Sequence, residues 1–119
     1  MSLALEEVII ESHDDYEIWA SVTVGFDAGK NFVIRLQSTD YDHHENDYTE
    51  DLVVSFEDAF RMSRRLHINM VDLPSHMASR FGDYSNLSVP SAVRALFKTM
   101  AGYVLDCGAH YKIVDRRRR

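Results

Sequence analysis

The residues best suited to chemistry crowd into one polar segment, Asp40-Tyr41-Asp42-His43-His44-Glu45-Asn46-Asp47, with Tyr48, Glu50 and Asp51 close behind. Imidazoles and carboxylates are ligands for zinc and other transition metals, which makes His43 and His44 the metal candidates. The spacing serves that chemistry badly, because adjacent residues of an extended chain point to opposite sides. Asp40-x-Asp42 also opens like the loop of an EF-hand calcium site. The glycine of its sharp turn is missing, however, and Asp51 stands where the bidentate glutamate belongs. The segment therefore reads as a solvated acidic loop, and the sequence implies no metal and no other cofactor.

Nucleophilic chemistry has equally little support. Cys107 and His110 are three residues apart, but Cys107 falls at the end of a predicted helix, where the dipole disfavours a thiolate. A small apolar core cysteine is the simpler reading. There is no Gly-x-Ser-x-Gly elbow, no Gly-x-Gly-x-x-Gly and no phosphate-binding Walker loop, with only five glycines along the chain. The reading leans away from an enzyme.

Charge is the stronger signal. The net charge is −6 over 119 residues. Residues 1–60 hold fifteen of the nineteen acids and only two bases, Lys30 and Arg35. The remainder holds eleven bases and four acids. Tyr16, Tyr41 and Tyr48 lie among the acids, and tyrosine is a favoured interface residue. This pattern suits docking on a basic protein patch, where complementary charge sets on-rate and specificity. The expectation is a non-enzymatic protein-binding module, a small acidic inhibitor, immunity-type or regulatory protein. Its contact residues would be Asp40, Tyr41, Asp42, Glu45, Asp47, Tyr48, Glu50 and Asp51, and its partner another protein or a second copy of the chain. The alternative is association with nucleic acid through Arg61, Arg64 and Arg65 on one helix and Arg94 and Lys98 on another, aided by the run Arg116 to Arg119.

The elements that must carry these residues follow from periodicity. Leu3–Glu11 is β-branched and reads as a strand, and Ser12 to Asp15 as a turn. In Tyr16–Phe26, Ile18, Ala20, Val22 and Val24 alternate with Glu17, Trp19, Ser21 and Thr23, the mark of a half-buried strand. Asp27 to Lys30 is a turn in which Gly29 is suited to positive φ, and Asn31–Ser38 alternates again. Thr39–Glu50 reads as loop, and Asp51–Val54 as a short strand. Ser55-x-x-Asp58 caps a helix with Phe56, Phe60, Ser63, Leu66 and Met70 inward, and with Glu57 paired to Arg61 outward. Pro74 opens a short helix ending at Gly82, and Asp83–Leu87 is loop. Ser88 or Ser91 caps a long helix over Val93 to Leu105, Gly108 terminates it, and Ala109–Val114 is a last strand.

The predicted fold is thus α+β in the order β-β-β-(β)-α-α-α-β, an antiparallel sheet of four to five strands with helices on one face. Residues 1–115 form one domain, followed by a basic, disordered tail at 116–119. No apolar run approaches the length that spans a bilayer, the acidic N-terminus is no signal peptide, and a lone cysteine fits the cytoplasm.

Overall fold

The computed structural model describes residues 3–12 and 17–117, with residues 83–88, 116 and 117 described as backbone only. Met1, Ser2, the turn residues from His13 to Asp15, Tyr16, Arg118 and Arg119 lie outside the described residues. The fold is α+β. Strands β1 (Ala4–Ser12), β2 (Ile18–Phe26), β3 (Phe32–Asp40) and β4 (Tyr48–Val54) form an antiparallel meander. Three helices follow, α1 (Phe56–Arg65), α2 (Leu73–Phe81) and α3 (Pro90–Asp106). A short strand β5 (Asp83–Ser88) links α2 to α3, and β6 (Lys112–Arg117) closes the chain. The sheet order is β5-β1-β2-β3-β4-β6, with β5 parallel to β1 and β6 antiparallel to β4.

Strand alternation divides the sheet into two unlike faces. One face presents Ile10, Ala20, Val22, Val24, Ile34, Leu36, Leu52 and Val54, and the helices bury Ala59, Met62, Leu73, Met77, Val93, Phe97, Met100 and Val104 against it. The long helix α3 packs on β1, β2 and β3, and α2 on β1 and β2. The opposite face carries rows set by register: Trp19 beside Thr39, Ser21–Gln37–Thr49, Thr23–Arg35–Asp51–Val114 and Gly25–Val33–Val53–Lys112.

The open face is closed at one end by the chain's own start. Leu5 has a φ of 53° and the β1–β2 register shifts between Ala4 and Glu7, so the N-terminal residues bend across the sheet. They pass directly over Gly25. A Cβ there would lie 2.6 Å from Leu3 Cβ and 2.8 Å from the Ala4 carbonyl oxygen, so glycine permits the crossing.

Several sequence expectations shift. Strand β3 runs to Asp40 and β4 begins at Tyr48, so the loop shrinks to 41–47. Asp83–Leu87, expected as loop, and Ser88, one of the two expected helix caps, form the strand β5 (Asp83–Ser88). The last strand starts at Lys112 and takes Arg116 and Arg117 into the sheet beside Thr49 and Tyr48. In the β2–β3 turn the positive φ falls on Lys30, at 65°, rather than on Gly29. Asp27 makes this possible, because its carboxylate accepts the Asn31 N–H at 2.9 Å and the Asn31 amide at 3.2 Å.

Helix α1 is rotated from its expected phase. Its buried residues are Asp58, Ala59, Met62 and Ser63, while Phe56 and Phe60 are 45% and 50% exposed. Ser55 Oγ accepts the Asp58 N–H at 3.2 Å, as expected for the cap. The Phe56 N–H is tied to Asn31 Oδ1 at 3.1 Å. The small Ala59 and Met62 are fully buried in the core in place of Phe56 and Phe60. Arg61 pairs with Asp58, not with Glu57. Helix α3 begins after Val89 without a side-chain cap, and Gly108, at φ 79°, ends it as expected.

Candidate functional site

The loop between β3 and β4 divides its acids into two sets. Asp40 and Asp47 build the loop. Asp40 Oδ1 accepts the backbone N–H groups of Asp42 at 3.1 Å and His43 at 3.0 Å, and Asp40 Oδ2 lies 3.5 Å from the Asn46 amide. Asp47 Oδ1 accepts the Asp40 N–H at 2.7 Å, and its other oxygen meets His44 Nδ1 at 3.2 Å. A single 3-10 turn at His44–Asn46 fills the space between them. Loss of hydration raises the pKa of Asp40, but the His43 N–H, the Asn46 amide and the Asp42 N–H together outweigh it. The carboxyl is held below its ordinary value.

The other acids are left over. Asp42 and Glu45 are exposed, as are Tyr41, His43 and His44. Among the described residues Glu45 reaches only His43 Nδ1, at 3.5 Å. The Tyr41 N–H donates to the Glu17 carbonyl at 3.0 Å, which ties the loop to the start of β2 and places exposed Glu17 beside it. His43 and His44 do not converge; each faces a different carboxylate. Among the described residues no group of three metal-ligating side chains forms.

The remaining acidic candidates part company with the loop. Asp51 is buried on the open sheet face, its oxygens meeting Arg35 Nε at 2.8 Å and Nη2 at 3.0 Å. These hydrogen bonds hold the Arg35 guanidinium above its ordinary pKa against the opposing cost of burial. Tyr48 and Glu50 point to the other face and line a groove beside α3. Asp51 is therefore a structural residue, and an interface surface is reduced to the loop itself.

The basic candidates also separate. Arg64 and Arg65 are exposed near the C-terminus of α1, while Arg61 is engaged by Asp58. Arg65 reaches the position just past α3, where its Nη1 would lie 3.4 Å from a Cβ on Gly108. Arg94 and Lys98 occupy the N-terminal half of α3. At a rise of 1.5 Å per residue, Arg94 is about 20 Å from Gly108 along the helix axis. The five residues do not make one continuous strip.

Cys107 is a core residue, as expected from its place at the helix end. Burial pushes its thiol up, against the smaller opposite pull of the Tyr103 hydroxyl and Arg65. His110 is exposed. The polar cluster that sequence reasoning missed lies one turn back, between α2 and α3. His76 Nε2 sits 2.7 Å from the Tyr103 hydroxyl, and the Arg80 guanidinium lies 4.5 Å from the Tyr103 ring centre. Burial, then the charge of Arg80, lowers the His76 pKa. Only the three-dimensional contact between the helices reveals it, since His76 and Tyr103 are 27 residues apart.

No protein-family model, curated protein or solved structure matches the chain. Among the described residues, no helix is long and apolar enough to cross a membrane.

Proposed function

We propose that this chain is a non-enzymatic protein-binding module that uses the loop from Tyr41 to Glu45 to engage a basic surface, as a small cytoplasmic inhibitor or regulatory protein would. One observation carries the reading: Asp40 and Asp47 hold the loop from within, while Tyr41, Asp42 and Glu45 remain exposed. A loop ordered before binding loses less conformational freedom when it docks. Exposed acids at its tip steer a basic partner and reject an acidic one. Tyr41 adds aromatic contact area at low entropic cost. Half-buried Trp19 on the open face and exposed Glu17 extend the surface at the same end of the sheet.

The test is a paired affinity capture from native lysate with mass spectrometry. The baits are the wild-type chain, an Asp42→Lys/Glu45→Lys variant and an Arg64→Ala/Arg65→Ala variant. A protein retained by the wild type and the arginine variant, but lost from the loop variant, supports the reading. A partner or nucleic acid lost only from the arginine variant transfers the function to the basic residues. Light scattering on each protein detects a second copy as the partner.

A further inference from the structure

The helices stop short of the sheet's far side. Helix α3 rests on β1, β2 and β3, and the strands β4 and β6 extend beyond it. The step leaves a groove of about 580 Å³ between α3 and the sheet. That volume lies within the roughly 300–1,000 Å³ of small-molecule sites. Leu36 and Phe97 lie beneath it, already buried, while half-buried Ala101 and Tyr111 and Ile113, 45% exposed, give it an accessible apolar floor.

The charges around this groove are unequal and unspent. Arg94 and Lys98, one turn apart on α3, line it; Glu50 on β4 lines it too. Arg94 and Glu50 are half-buried. Among the described residues none of these three side chains forms a salt bridge or a side-chain hydrogen bond. A half-buried guanidinium without a carboxylate partner, over an apolar floor, favours an anion that carries its own apolar body. A bare anion would satisfy the cations but leave the floor wet; an apolar ligand would leave Arg94 partly desolvated without compensation.

We infer that the groove between α3 and the β4–β6 strands binds a small amphipathic monocarboxylate, its carboxylate on Arg94 and Lys98 and its apolar body on Ala101, Tyr111 and Ile113. Glu50 acts against this ligand, because its charge opposes a carboxylate and limits affinity. The site is independent of the acidic loop, so either reading can fail alone.

The experiment is a titration of the full chain with octanoate, followed by amide chemical shifts, with acetate, inorganic phosphate and octylamine as comparison probes. Octanoate is expected to give saturable shifts centred on Arg94, Lys98, Ala101 and Ile113, with acetate and phosphate binding more weakly. Arg94→Ala should weaken octanoate about tenfold, the loss of one charge-assisted contact, with Lys98→Ala as a milder second variant. Glu50→Gln should tighten it by a few-fold, an effect that damage to the fold would not produce. The inference is overturned by any of four results: no saturable shift with octanoate, equal binding of phosphate or octylamine, shifts centred elsewhere, or unchanged affinity in both cation variants.

Discussion

The two faces of the sheet solve burial in different ways. On the helix-covered face Leu52 is fully buried among aliphatic side chains, and the surrounding core is continuous. One residue earlier on the same strand, Asp51 points the other way and is just as inaccessible, at 3% exposure. There the covering atoms are a partner guanidinium, neighbouring side chains and the bent N-terminal residues. Ser21 Oγ and Thr23 Oγ1 are buried on that face with no hydrogen-bond partner among the described residues. One face gains from hydrophobic transfer; the other spends part of that gain on desolvated polar groups.

The sharpest way to break this comparison is to cut the ion pair from one side. Asp51→Ala takes the carboxylate away from a buried guanidinium and is expected to cost about 3–5 kcal/mol in urea unfolding. The double variant Arg35→Met/Asp51→Leu removes both charges and should recover most of that loss. Leu52→Ala should cost a similar amount, about 2–5 kcal/mol, by a different route, and no second substitution nearby should rescue it. If Asp51→Ala and the double variant are equally unstable, the open face depends on the pair for more than charge balance.

Next in size is Gly25→Ala. Its added carbon meets Leu3 Cβ and the Ala4 carbonyl well inside contact distance. A loss of about 1–3 kcal/mol is expected from the forced shift of the N-terminal crossing. An unchanged midpoint would mean that the crossing contributes little to closing the open face.

The boundary between α2 and α3 on the covered face predicts a smaller, pH-dependent change. The His76 pKa is lowered from 6.5 in the folded chain. Between the folded value and 6.5 the unfolded chain holds more protons, so stability rises with pH there. The contribution is complete above pH 6.5 and is lost as pH falls through the folded value. Thermal unfolding of the wild type should show this slope, and His76→Phe should flatten it. The smallest effect belongs to Thr23→Val and Ser21→Ala. Each removes a buried hydroxyl with no partner and should leave stability within about 1 kcal/mol of the wild type, or raise it.

These regions differ in how far the sequence announces them. The alternation of Ile18 to Val24 and of Phe32 to Leu36 marks the two central strands, and Ser55, Pro74 and Gly108 mark helix ends, because each signal is local. Strand β5 is invisible in Asp83–Ser88, since its pairing with β1 is a contact across some seventy residues. The inward face of α1 is misleading for a similar reason: Phe56 and Phe60 carry the apolar weight, but the tie to Asn31 sets the phase. Arg35 offers a faint signal as one of only two bases among the first sixty residues, on the polar side of a strong strand. Its partner emerges from the β3–β4 register, which sets Arg35 opposite Asp51. Composition marks the loop as acidic but does not separate Asp40 and Asp47, which build it, from Asp42 and Glu45, which it displays.

That separation is the basis of the functional reading, and it can be measured directly. With the captured partner purified, association rates are compared for the wild type and Asp42→Lys/Glu45→Lys at low and moderate salt. The account predicts a fall in association rate of at least about tenfold at low salt, shrinking as salt rises, with an unchanged thermal midpoint. Equal rates for the two proteins across that salt range would contradict it.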